Sequence, residues 1–126
     1  MLERVGTPGQ KKQWLAPLLN GEIRSAYAMT EPDVASSDAK NVQMQAVKDG
    51  DEYVLNGEKF YISGASDARC KRISVICRTN PDAPAHQMQS ETPVPMETPR
   101  AQTPGRLLRI CHSAATHGHK HLSMNG

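Results

Sequence analysis

The chain has 126 residues, 37% hydrophobic and 4% aromatic, short of the roughly 45–50% apolar share of ordinary domains, and its length allows one small domain. Its 15 basic and 13 acidic residues leave a net charge of +2, too balanced for a nucleic-acid or membrane-surface footprint. No apolar run approaches the roughly 18 residues of a membrane span, and the start MLERVGTPGQ has no secretory h-region. Cys70, Cys77 and Cys111 are too few and too scattered for a disulfide framework or a CxxC metal site.

The predicted elements begin with a helix near residues 8–19. Thr7 caps it, Pro8 suits the first position and Gln10 completes a capping box. Trp14, Leu15, Leu18 and Leu19 share a face, Pro17 should break or kink the helix near Leu15–Ala16, and Gly21 stops it. Short strands follow near 25–30, 41–48, 51–56, 58–63 and 71–78. Val42, Met44 and Ala46 alternate in the second, and Ile73, Val75 and Cys77 share a face in the last. Lys48-Asp49-Gly50-Asp51 reads as a turn, and Asn56-Gly57 as a second hairpin. A helical stub leading into an antiparallel β-domain is the expected fold.

All five aromatic residues lie between Trp14 and Tyr61, and all five histidines lie from His86 onward. Residues 81–126 therefore read as mostly disordered, since scattered apolar groups cannot offset about 1–2 kcal/mol per residue of backbone ordering. The tail beyond about 100 is expected to be irregular.

Two stretches carry candidate chemistry. Tyr27-Ala28-Met29-Thr30-Glu31-Pro32-Asp33-Val34-Ala35-Ser36-Ser37-Asp38 leaves a strand for a polar loop. It reads either as a cradle for a polar ring or phosphate, or as an ordinary capped turn. Lys59-Phe60-Tyr61-Ile62-Ser63-Gly64 alternates Phe60 and Ile62 against Tyr61 and Ser63. It suits a flat ligand or simply two packed faces. Glu31, Asp33 and Asp38 read as solvated loop charges. Cys111, His112, His117, His119 and His121 have zinc-ligand chemistry without a closed-site spacing, so no metal site is assigned. The serines near Ser36 lack a nucleophile elbow, and no catalytic residue is assigned.

Gly6-Thr7-Pro8-Gly9-Gln10, Pro17-Leu18-Leu19-Asn20-Gly21-Glu22, Tyr27-Ala28-Met29-Thr30-Glu31-Pro32 and Asp51–Lys59 followed by Tyr61-Ile62-Ser63 stand in order. Together they resemble the acyl-CoA dehydrogenase family. The long Thr30–Asp38 loop looks most like the large kinase-fused members ten and eleven. The match covers about residues 3–80 and recurs in Val94-Pro95-Met96-Glu97-Thr98-Pro99, after which Arg100–Gly126 no longer resembles the family. The abrupt change in composition there is what a frame change or unusual splice would produce.

The resemblance implies a division into three parts. Residues 1–24 would end an N-terminal helical domain, 25–99 would form an incomplete middle β-domain of two packed sheets, and 100–126 a non-family tail. It implies FAD as cofactor, lined by Tyr27, Ala28, Met29, Thr30, Glu31, Pro32, Asp33, Val34, Ala35, Ser36 and Ser37, with Thr30 on the pyrimidine side. Tyr61, Ile62 and Ser63 occupy the family's W-I-T position against the isoalloxazine, and Ser37 also touches the acyl-CoA substrate. Tyr61 replaces the usual Trp, and Asp33-Val34-Ala35-Ser36 lacks the common glycines. The family's α-proton base is a glutamate of the C-terminal domain, and a neighbouring subunit of the homo-oligomer holds the ADP part of FAD. The resemblance thus implies a fragment that is inactive alone; the alternative is a non-enzymatic product that binds full-length subunits or has no function. It places the chain in the mitochondrion or peroxisome, although no targeting signal is present.

Overall fold

The computed structural model describes residues 2–97, 101–102, 108–115 and 122–123, with side chains described within 2–97 apart from residue 86. α1 (Leu2–Val5) precedes a helical run made of α2 (Pro8–Gln10), a π-turn (Lys11–Leu15) and α3 (Ala16–Leu19). The expected capping box is present. Gln10 N donates to Thr7 Oγ1 at 3.2 Å, and Thr7 N donates to Gln10 Oε1 at 2.9 Å. The run does not break near Leu15–Ala16, although its hydrogen-bond pattern changes there. The helix widens instead, Ala16 N donating to Lys11 O, and Pro17 falls in the first turn of α3, where its missing N–H matters least. Gly21, with φ of 74°, ends the run. Trp14, Leu15 and Leu18 are half-buried as the helical face requires, but Leu19 is exposed.

Among the described residues eight strands follow: β1 (Arg24–Ala28), β2 (Gln45–Asp49), β3 (Glu52–Lys59), β4 (Cys70–Arg78), β5 (Gln89–Pro95), β6 (Ala101–Gln102), β7 (Leu108–Ala115) and β8 (Leu122–Ser123). Their order is β6-β7-β3-β2-β4-β5-β8, with β1 beside β4. The sheet is mixed, not purely antiparallel. β1 runs parallel to β4, as the long crossover between them permits, and β2 meets β4 in parallel through Gln45 and Arg78 alone. That single bridge joins two leaves, β6-β7-β3-β2 and β1-β4-β5-β8. Their facing side chains make the core: Ala46 and Leu55 from one leaf, Ala26, Ala28, Ile73, Val75, Cys77 and Val94 from the other.

Asp49 pairs with Glu52 around Gly50, so the Lys48–Asp51 turn is where the sequence places it. The Asn56-Gly57 hairpin is not formed. β3 runs straight through both residues, and the expected strand at 58–63 ends at Lys59. Gly57 serves close packing, since a Cβ there would lie 2.6 Å from Met44 Cγ. The expected 41–48 strand is observed as Gln45–Asp49, starting four residues later, yet Val42, Met44 and Ala46 are all buried. Among the described residues beyond 81, β5 and β7 form strands where the sequence suggests disorder. β5 is buried along most of its length against β4, and β7 pairs with β3 from Tyr53 to Lys59. Backbone pairing to a strand edge stabilises such segments without an apolar period. His117, His119 and His121 lie outside the described residues.

Candidate functional site: a buried ion pair under a polar loop

The inward parity of β3 carries Leu55, Gly57 and finally Lys59, whose side chain is 0% exposed. Its ammonium donates to Met29 O at 2.9 Å and to Glu31 Oε1 at 2.8 Å. Glu31, 5% exposed, also accepts from Met44 N on Oε1 at 2.8 Å and from Gln43 N on Oε2 at 2.6 Å. Glu31 N donates to Ser36 Oγ at 2.7 Å, and Ser36 Oγ donates to Val34 O at 3.3 Å. Phe60 N donates to Thr30 O at 3.0 Å. The loop after β1 is thereby fastened to the end of β3 and to the segment entering β2.

Glu31 is a correction to its reading as a solvated charge. Burial alone would push its carboxyl up, but the Lys59 ammonium and the Gln43 and Met44 N–H groups hold it below the ordinary carboxylate value. Burial draws Lys59 below its ordinary value, with Glu31 opposing. Asp33 and Asp38 are exposed as expected, Asp38 Oδ1 accepting from Lys40 N at 3.0 Å. Lys59 was missed in the sequence as a site residue. Its signal was the inward parity it shares with Leu55, hidden by reading Gly57 as a turn.

The two predicted stretches come together, but their side chains play different parts. Tyr27 is 55% exposed, and burial of its hydroxyl end, with the Glu91 charge, raises its pKa. It borders a cleft of about 130 Å³ with Met29 and Ile76. Met29, Thr30 and Val34 are half-buried; Pro32, Ala35 and Ser37 are exposed. Ala28 and Ile62 belong to the core and Ser36 is buried, so only their backbones can meet a ligand. Tyr61 is 67% exposed at φ 56°, a left-handed backbone that bulky residues rarely adopt, and its ring centroid lies 4.2 Å from that of Phe60. Ser63 is exposed beyond it. Such strain gathers at ligand-facing positions. An open aromatic ring at Tyr61, with exposed hydroxyls at Ser37 and Ser63 and a half-buried one at Thr30, supplies the groups that a flat ring with a polar edge would need.

A second cleft of about 240 Å³ lies beside the ion pair, with Asp33, Gln43, Asn56 and Glu58 in its wall. On the other face of β4, Arg72 and Glu91 stand 3.7 Å apart, both buried, with Arg72 Nε and Nη2 making no hydrogen bond. Among the described residues no three metal-ligating side chains gather. No helix among them is long and apolar enough to cross a membrane.

Comparison with known proteins places these features in a family. The profile "Acyl-CoA dehydrogenase, middle domain" matches residues 26–125, running past the last of the quoted motifs at Pro99. FadE2 of Mycobacterium tuberculosis is 57% identical over 99 residues, 79% of this chain and 24% of that protein. Acyl-CoA dehydrogenase family member 10 of Mus musculus is 50% identical over 99 residues, 79% of this chain and 9% of that protein. The crystal structure of an acyl-CoA dehydrogenase from Geobacillus kaustophilus superposes with a TM-score of 0.77 at 33% identity, over 90% of this chain and 33% of that one. The chain thus spans a quarter or less of these curated relatives and a third of the solved structure.

Proposed function

Because the chain belongs to the acyl-CoA dehydrogenase family and carries its middle domain, we propose that it is the flavin-lining part of an enzyme that dehydrogenates an acyl-CoA between its α and β carbons. The observation that supports this reading is the fastening of Met29 and Thr30 to Lys59 and Phe60, which joins the loop after β1 to the segment that carries Tyr61–Ser63. FAD bound there would supply the hydride acceptor. The Thr30 hydroxyl would meet its pyrimidine edge, the Tyr61 ring would pack on it, and Ser63 would hydrogen-bond near the reacting nitrogen. Ser37 would also reach the acyl-CoA. Residues 1–24 would end the helical domain, and the intact protein would be a homo-oligomer of mitochondrion or peroxisome.

An α-proton must also be removed by a positioned base. Glu31 is committed to the Lys59 ammonium and two backbone N–H groups, and Asp33 and Asp38 are solvated. The 126-residue chain by itself is therefore expected to bind FAD weakly and to leave acyl-CoA unreacted. Losing about 4 kcal/mol of flavin contacts from other domains lowers affinity about a thousandfold. The commitment of Glu31 to Lys59 and two backbone N–H groups also favours a second reading, a non-enzymatic product that associates with full-length subunits. The test is anaerobic mixing of the chain, at saturating FAD, with a set of acyl-CoAs of different length. Bound flavin that keeps its absorbance is expected. Bleaching would overturn the missing base, and its loss in Asp38→Asn would place that base in the loop. No FAD binding at millimolar flavin would contradict the flavin reading itself.

A further inference from the structure

Three successive residues of the loop are held by two successive residues of β3 and its exit. Lys59 Nζ takes the carbonyl of Met29 and the carboxylate of Glu31, and between them Phe60 N takes the carbonyl of Thr30. Thr30 is thus bracketed on both sides by one ammonium, and the chain that leaves this bracket turns at once into the left-handed Tyr61. A backbone in that region persists where its surroundings over-determine it. Packing alone does not explain a lysine with 0% exposure, since an apolar side chain of similar volume would fill the space without the desolvation penalty. What the ammonium adds is direction: it fixes the distance between Thr30 on one segment and Tyr61–Ser63 on the other.

We propose that Lys59 is a positioning residue for the flavin, acting through Met29 O and Glu31 to set Thr30 against Tyr61 and Ser63. Lys59 itself touches no ligand. The inference rests on the flavin reading above and adds to it the residue that aligns its two halves.

The full chain is compared with Lys59→Met and with Lys59→Met combined with Glu31→Gln, the second removing both charges so that neither is left buried alone. Backbone amide exchange is read by NMR, and FAD affinity by flavin fluorescence titration at a temperature where circular dichroism shows each variant folded. In the double variant the melting temperature should return toward the wild-type value. The amides of Glu31, Gln43, Met44 and Phe60 should still exchange about tenfold or more faster while those of Val75 and Val94 do not, which separates a local release from global loosening. FAD affinity in that variant should stay about tenfold or more below wild type, as expected when contacts are misplaced rather than removed. A double variant that binds FAD as tightly as wild type, or whose exchange rises uniformly, would overturn the positioning role and leave the flavin reading intact. No FAD binding by the wild-type chain at millimolar flavin would overturn both together.

Discussion

Replacing Glu31 by Gln keeps the side chain's shape while removing its charge, and the local geometry sets the consequence. The amide oxygen can still accept from Met44 N and Lys59 Nζ, but the amide nitrogen then faces Gln43 N–H, donor against donor. Lys59, with 0% exposure, loses its counter-charge. Removing one partner from a buried pair typically costs about 3–5 kcal/mol. An unfolding entropy of about 2.1 cal/mol/K per residue corresponds, for a chain of this length, to about 4 °C per kcal/mol, so Glu31→Gln should melt about 11–19 °C lower. The effect depends on pH in a defined direction. The Glu31 carboxyl is held below its ordinary value of 4.5 in the fold, so the unfolded chain takes up its proton first as pH falls. Its contribution is whole above the ordinary carboxylate value and is lost as pH drops through the lowered one. Circular dichroism melts from about pH 7 to about pH 3 should show the gap between wild type and variant narrowing in acid. A shift below about 4 °C at neutral pH, or a gap that widens in acid, would refute the reasoning.

Gly57→Ala should destabilise by about 1–3 kcal/mol in urea unfolding, because the new Cβ meets Met44 Cγ at 2.6 Å and Met44 Cα at 3.1 Å at a φ of 153°; an unchanged midpoint would contradict the close approach. Replacing Arg72 and Glu91 together by Met should be neutral or stabilising by about 1–4 kcal/mol, while Arg72→Met alone, which strands the buried Glu91, should be clearly destabilising; urea midpoints measure both. The Cys77 thiol is fully buried and pushed up to about 12 by that burial. Its peptide should stay unlabelled by maleimide in native buffer and label in denaturant, as mass spectrometry reads; fast native labelling would contradict the core assignment.

The parts of this fold legible in the sequence are those set by neighbours along the chain. The Thr7–Gln10 capping box, the turn at Gly50 and the inward face Ile73–Val75–Cys77 each depend on residues within a few positions. Asn56-Gly57 misled because a glycine demanded by close packing against Met44 looks, in one dimension, like a glycine demanded by a turn. Glu31 and Lys59 are 28 residues apart, so nothing local distinguishes their buried pair from two surface charges. The pairing of β7 with β3 uses backbone groups, which leave no hydrophobic period to read. For the candidate site, the fold joins the two motif segments through Phe60 N and Thr30 O. Which of their residues face outward, with Tyr61 and Ser63 exposed and Ala28 and Ile62 interior, required the fold.

In the proposed function the loop after β1 and the exit of β3 form one flavin-facing surface. Titrating FAD into the isotopically labelled 126-residue chain and mapping the amide shifts tests this most directly. Shifts are expected to concentrate in Met29–Ser37 and Tyr61–Ser63, with the amides of Val47 and Lys48 near the Gly50 turn of the β2–β3 hairpin unmoved. Shifts centred on that hairpin, or on only one of the two segments, would contradict it.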